Sequence, residues 1–150
     1  MRLEDYVYED YKEYEKACDK MREHNEGYLE IFSKDLEQKG LTAKTINGHL
    51  SNVDFFLNIF LLREGIFTMD EGLFKMDEFF EFFIRKCMWS SPTTIKSTAA
   101  SLKKFYKSMA DHGFISQDKL RQFNAEIKQG VPQWIYEYEL YMSDSYNPFW

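Results

Sequence analysis

Cysteine is scarce in this sequence: Cys18 and Cys87 are the only two among 150 residues. They lie far apart, with no CxxC and no histidine at ligand spacing, which excludes a disulfide framework and a structural zinc site. Such usage fits a reducing compartment, and the expected location is the cytoplasm. Long hydrophobic runs are also missing. The longest strongly apolar stretch, Phe55 to Leu62, is far short of the ~20 residues that span a bilayer. The opening MRLEDYVYEDY is acidic and aromatic, unlike the basic start and apolar stretch of a secretory signal. No membrane association is expected. Strand patterns are absent as well, since no run of four or more residues alternates cleanly between polar and β-branched apolar types.

Groupings that carry chemistry are equally hard to find. His24, His49 and His112 have no partner at HxxxH or HxxE spacing, and neither GxSxG nor GxxxxGK[ST] occurs. The acids at Asp70-Glu71 and Asp77-Glu78-Glu81 suit the positive end of a helix and need no metal. Cys87, among Phe83, Ile84 and Met88, reads as a small core residue. The sequence therefore predicts a protein that is not an enzyme and has no catalytic residues, metal site or cofactor.

What is present is helical spacing along the whole chain. At 18.1 kDa the protein fits one domain, and a chain of this size buries roughly 70% of its unfolded surface. The predicted fold is all-α, a compact bundle of about six helices with no sheet. A first helix is expected from Asp5 to Glu23, with Tyr6, Tyr11, Tyr14, Cys18 and Met21 on one face. Asn25 reads as the cap of a second, which buries Leu29, Phe32 and Leu36 and stops at Gly40. Thr42 caps a third, in which Ile46, Leu50, Val53, Leu57 and Phe60 recur at core spacing. MDEFFEFFIRKCMW makes a fourth, apolar on nearly every side. Ser91 and Pro92 open a fifth with core residues Ile95, Ala99, Leu102, Phe105 or Tyr106, and Met109, and Gly113 stops it. Ser116 caps a sixth that Gly130 ends, and Pro132 begins a last helical stretch before an irregular SDSYNPFW tail.

Charge is distributed unevenly. Residues 91–130 carry seven basic and three acidic side chains, whereas residues 1–40 carry seven and twelve, 41–90 five and seven, and 131–150 none and three. One basic segment thus sits inside a protein of net charge −6, and phosphate binding needs only one positive face. On the fifth helix Lys96, Lys103, Lys104 and Lys107 stand opposite Ile95, Ala99 and Leu102, interleaved with Ser97, Ala100 and Ser101. The matching side of the third helix has Lys44, Asn47, Gly48, Ser51 and Asn52. This composition suits contact with a nucleic-acid backbone, and it equally suits a solvated helix face. Both helix starts are also expected to offer backbone amides to an anion.

The third and fifth helices repeat one design. Thr42-Ala-Lys-Thr-Ile46 superposes on Ser91-Pro-Thr-Thr-Ile95 at an offset of 49, after which Val53 matches Leu102, Phe56 matches Phe105 and Phe60 matches Met109.

These segments carry a family likeness. The stretch from Gly27 to Lys128, with Tyr28-Leu29, Phe32, Leu36-Glu37, Gly40-Leu41-Thr42-Ala43-Lys44-Thr45-Ile46, Leu50, Phe55-Phe56, Phe79, Phe83, Ser91-Pro92-Thr93-Thr94-Ile95, Ser101-Leu102-Lys103-Lys104-Phe105-Tyr106 and Gly113-Phe114-Ile115, resembles the SAM-like core-binding domain at the N-terminus of tyrosine recombinases and phage integrases. The resemblance implies a helical domain at residues 25–130 that clamps double-stranded DNA. By position, Thr42, Lys44, Thr45, Asn47 and Ser51 of the third helix and Thr93, Thr94, Lys96, Ser97, Lys103, Lys104 and Lys107 of the fifth would make the contacts. The family's catalytic arginine, His-x-x-Arg pair and tyrosine nucleophile are not matched in this sequence. The likeness thus implies a non-catalytic DNA-binding module for DNA recombination and integration, with a catalytic recombinase as a possible partner. A bundle that no longer binds DNA and instead holds itself or another protein is the competing expectation.

Residues 1–24 would then be an added acidic helix and 131–150 an aromatic acidic helix and tail. In the tail, Trp134, Tyr138 and Tyr141 fall at spacings of four and three and form one stripe. That stripe either closes the bundle against Phe79, Phe80 and Phe83 or serves as a partner interface for self-association or another protein.

Overall fold

The computed structural model describes residues 8–145, which form α1 (Tyr8–Gln38), α2 (Ala43–Phe55), α3 (Met76–Lys86), α4 (Pro92–Asp111) and α5 (Gln117–Ser145). No strand occurs among the described residues. The chain is all-α. Asp5 and Tyr6 at one end, and Tyr146, Phe149 and Trp150 at the other, lie outside the described residues.

Two helices run on where the sequence reads as broken. α1 passes through Asn25 without interruption, because that side chain looks inward: it is 1% exposed, and its amide donates to Asn58 Oδ1 at 2.8 Å. Asn58 in turn donates to Asp54 at 2.7 Å. The supposed cap is a buried polar tie between α1 and the segment after α2. α5 passes through Gly130 and Pro132. A Cβ on Gly130 would stand 2.4 Å from the Trp134 ring. Helical side chains lean toward the N-terminus, so Trp134 lies over the residue one turn before it, and only glycine leaves the space. Pro132 removes one helical donor, and it lies on the exposed side of α5. The boundaries expected at 24/25 and 130/131 both fall inside continuous helices.

The helix ends near the basic segment follow the sequence. Thr45 N–H donates to Thr42 Oγ1 at 3.2 Å, and Thr94 N–H to Ser91 Oγ at 3.0 Å. Gly40 and Gly113 adopt φ of +79° and +81°, a left-handed backbone that closes α1 and α4 with Leu41 N–H on Leu36 O and Phe114 N–H on Met109 O. After Phe55 the chain continues as a π-helical turn, Phe56–Phe60, with Leu61 N–H on Phe56 O at 3.0 Å. A short 3-10 turn, Glu71–Phe74, precedes α3.

α3 differs from the expected all-round apolar helix. It stops at Lys86, and its buried residues Met76, Phe79, Phe80, Phe83 and Ile84 share one face, with Glu78, Glu81, Arg85 and Lys86 outside. Met88 and Trp89 belong to the turn into α4.

α4 is the centre of the core and packs against α1, α2 and α5. Ile95, Ala99, Leu102, Phe105, Tyr106 and Met109 are all buried on it. Phe105 meets Phe32 of α1 edge to face at 5.4 Å, and Tyr106 meets Phe123 of α5 at 4.8 Å while its hydroxyl donates to Met69 O at 2.7 Å. From α2 and the turn after it, Ile46, Val53 and Leu57 join the same core, and Leu50 packs at its edge. α3 docks on α5 through Phe80, stacked on Trp134 at 4.2 Å.

Candidate nucleic-acid interface

The two repeat helices touch through equivalent positions. Asn52 and Ser101, 49 residues apart, hydrogen-bond at 2.9 Å, and His49 Nδ1 lies 2.7 Å from the same hydroxyl. Ser101 Oγ also lies 3.1 Å from Ser97 O, one turn back on its own helix. Within the repeat Ile46 and Ile95, Val53 and Leu102, and Phe56 and Phe105 are all buried. Ser101, expected on the outer face with the other small hydroxyls, is instead 0% exposed at this joint. Burial, and then Lys104 beside it, lowers the His49 imidazole from its usual value and favours the neutral ring.

The lysines lie outside this joint. Lys96, Lys103 and Lys107, at spacings of seven and four, form one exposed ridge along α4, and Lys104 stands one step round toward α2. Lys107 is paired with Asp111 at 2.9 Å, which leaves it less available than the other three. Between α4 and α5 runs an open groove of about 460 Å³, bordered by Lys96, Lys103 and Lys128 over a floor of Ala99, Ile127 and Val131. No acid lines it. Lys128 and Asn124, also in this groove, were not legible as site residues. They sit 25 and 21 residues beyond Lys103, on a helix whose relation to α4 only the fold supplies.

The other expected contact residues divide by exposure. Thr42, Lys44, Thr45, Asn47, Ser51, Thr93 and Ser97 are exposed. The hydroxyls of Thr42 and Thr45 bond to each other at 3.0 Å in the α2 cap. Thr94 is partly buried, and its hydroxyl donates to Trp89 O at 2.9 Å. The start of α4 is also a poorer anion site than expected, since Pro92 has no N–H and that of Thr94 is committed to Ser91.

The aromatic stripe of α5 faces inward. Trp134 is 1% exposed, stacked on Phe80 and with its indole N–H on Asp77 Oδ1 at 3.0 Å, so of the two expected roles this ring takes the closing of the bundle and not a partner interface. Tyr138 and Tyr141 are partly buried and pack against the same core. The large apolar side chains that this segment turns outward are Tyr136 and Leu140, 57% and 47% exposed.

A comparison with protein families, curated proteins and solved structures finds no match for this chain. The likeness to the recombinase core-binding domain thus rests on the residues quoted for it. Among the described residues no helix is long and apolar enough to cross a membrane, and no group of three or more His, Cys, Asp or Glu is placed to hold a metal.

Proposed function

We propose that this chain is a non-catalytic module that binds double-stranded DNA in the manner of a recombinase core-binding domain. The observation that carries the reading is the acid-free groove bordered by Lys96, Lys103 and Lys128 in a protein of net charge −6. A solvated helix surface usually mixes charges of both signs, and most of this protein does so. Here Lys96, Lys103 and Lys128 border one groove, and Lys104 on α4 and Lys44 on α2 are exposed as well. Ammonium groups on flexible stems neutralise phosphates without reading bases, so the module holds a duplex by its backbone. Small exposed side chains on α2, Asn47, Gly48 and Ser51, let a backbone approach closely. Any strand cleavage would come from a catalytic recombinase domain, in cis or in trans.

The test is charge reversal in a gel-shift or anisotropy titration at low salt. Lys96→Glu, Lys103→Glu and Lys128→Glu together should abolish duplex binding while leaving the helical circular dichroism unchanged, because all three side chains are exposed. Undiminished binding by the folded triple variant would refute the reading.

A further inference from the structure

We propose that the cleft beneath Trp89 receives an unpaired nucleobase, so that the protein prefers nucleic acid with an unpaired base over a fully paired duplex. The proposal rests on the DNA-binding reading and adds a substrate class to it.

The turn from α3 into α4 leaves two large apolar side chains in water. Ser90 N–H closes the turn on Cys87 O at 3.1 Å, and between them Met88 is 100% and Trp89 57% exposed. Trp89 is nevertheless held in place, with ring centroids 5.5 Å from Phe55 and 6.3 Å from Phe83 and planes nearly perpendicular to both. Its backbone carbonyl accepts from Thr94 of α4. This is a fixed aromatic surface and not a loose one.

Beneath it is a cleft of about 250 Å³ bounded by Ser51, Asn52, Phe55, Phe83, Trp89 and Thr98. It lies between α2 and α4, the two helices that carry the proposed phosphate contacts. Its chemistry selects the occupant. Trp89 and the half-buried Phe55 offer ring surface for stacking, the exposed Ser51 hydroxyl offers a partner to a polar ring edge, and no ionisable side chain is among the lining residues. A carboxylate or an amine would find no counter-charge there; a neutral heteroaromatic ring would lose little. The cleft is also smaller than the roughly 300–1,000 Å³ that takes a drug-sized ligand, which suits one base. Of the lysines on α4, Lys104 is the one turned toward α2, and it would meet the strand attached to that base. A base already unpaired avoids the unstacking that a base within a duplex must undergo.

The experiment compares a fully paired duplex with the same duplex carrying one unpaired base, by fluorescence anisotropy, for the wild type, Trp89→Ala and Trp89→Phe. The wild type should bind the second probe about 5- to 150-fold tighter, the range set by stacking of one base on an aromatic ring. Trp89→Ala should bring the two probes to parity without changing affinity for the paired one, and Trp89→Phe should keep part of the preference. Equal affinity of the wild type for both probes would overturn the proposal while leaving the duplex-binding reading intact, as would a preference that survives in Trp89→Ala. A peptide-binding role for Trp89 would show the same equality. Failure of the wild type to bind either probe at low salt would remove both. Should Trp89→Ala not fold, the wild-type ratio and its reduction in Trp89→Phe decide the matter.

Discussion

Asn52 and Ser101 occupy the same place in the two copies of a 49-residue repeat, and they hydrogen-bond to each other at 2.9 Å. The repeat is therefore a contact between like faces as well as a likeness of sequence. It fixes α2 against α4 with small polar groups, which lets the two helices come close and turns their longer polar side chains outward. Removing the shared hydroxyl with Ser101→Ala takes the partner from His49 and Asn52, which are half-buried at this joint. Unsatisfied buried groups cost about 1–3 kcal/mol, so the midpoint of urea unfolding should fall accordingly. A midpoint unchanged from wild type would show that the joint adds nothing to stability.

Gly130→Ala separates two opposing effects. A glycine inside a helix normally gains about 1 kcal/mol on replacement by alanine. Here the added methyl meets a ring held by Phe80 on one face and by Asp77 at its nitrogen, and overpacking costs about 1–3 kcal/mol. The variant should be no more stable than wild type in thermal unfolding, and a clear rise in Tm would contradict the packing described.

Asp35 joins α1 to the end of α4. Burial pushes its carboxyl up, but hydrogen bonds from Ser108 at 2.5 Å and from His112 outweigh it and hold the group below its usual 3.8. A carboxyl lowered in the folded state adds stability above its unfolded value, and this is lost as pH falls through the folded one. Between pH 5 and the acid transition, wild type should thus lose more stability than Asp35→Asn. Parallel pH profiles for the two proteins would contradict this role.

Truncation after Gly130 removes Trp134, a 1% exposed ring at the centre of the α3–α5 contact. The shortened protein should lose cooperative unfolding. A folded product with unaltered midpoint would mean that α3 does not depend on this ring.

Legibility in the sequence followed how local each signal is. Thr42 with Thr45 and Ser91 with Thr94 complete their caps within four residues, so the starts of α2 and α4 and their core stripes were readable. Asn25 and Gly130 misled because each has a second, non-local or side-chain-specific use: one pairs with Asn58, 33 residues away, and the other makes room for Trp134. The same applies to the site. Four lysines on one helix are visible as a pattern, but Lys128 joins them only because α5 folds back along α4. Ser101 looked like its exposed neighbours until α2 was placed against it. The exposure of Trp89 depended on where α3 stops, and nothing in CMWSSP fixes that point.

The salt dependence of duplex binding tests the central claim most directly. Lys96, Lys103, Lys104 and Lys128 are exposed, and none of them lines the groove beside an acid. With about 0.9 of log–log slope for each phosphate neutralised, four contacts give a slope near −3 to −4 for wild type. Replacing Lys103 by Ala should reduce its magnitude by about 1. A slope near zero, or no retardation of any duplex at low salt, would contradict the account.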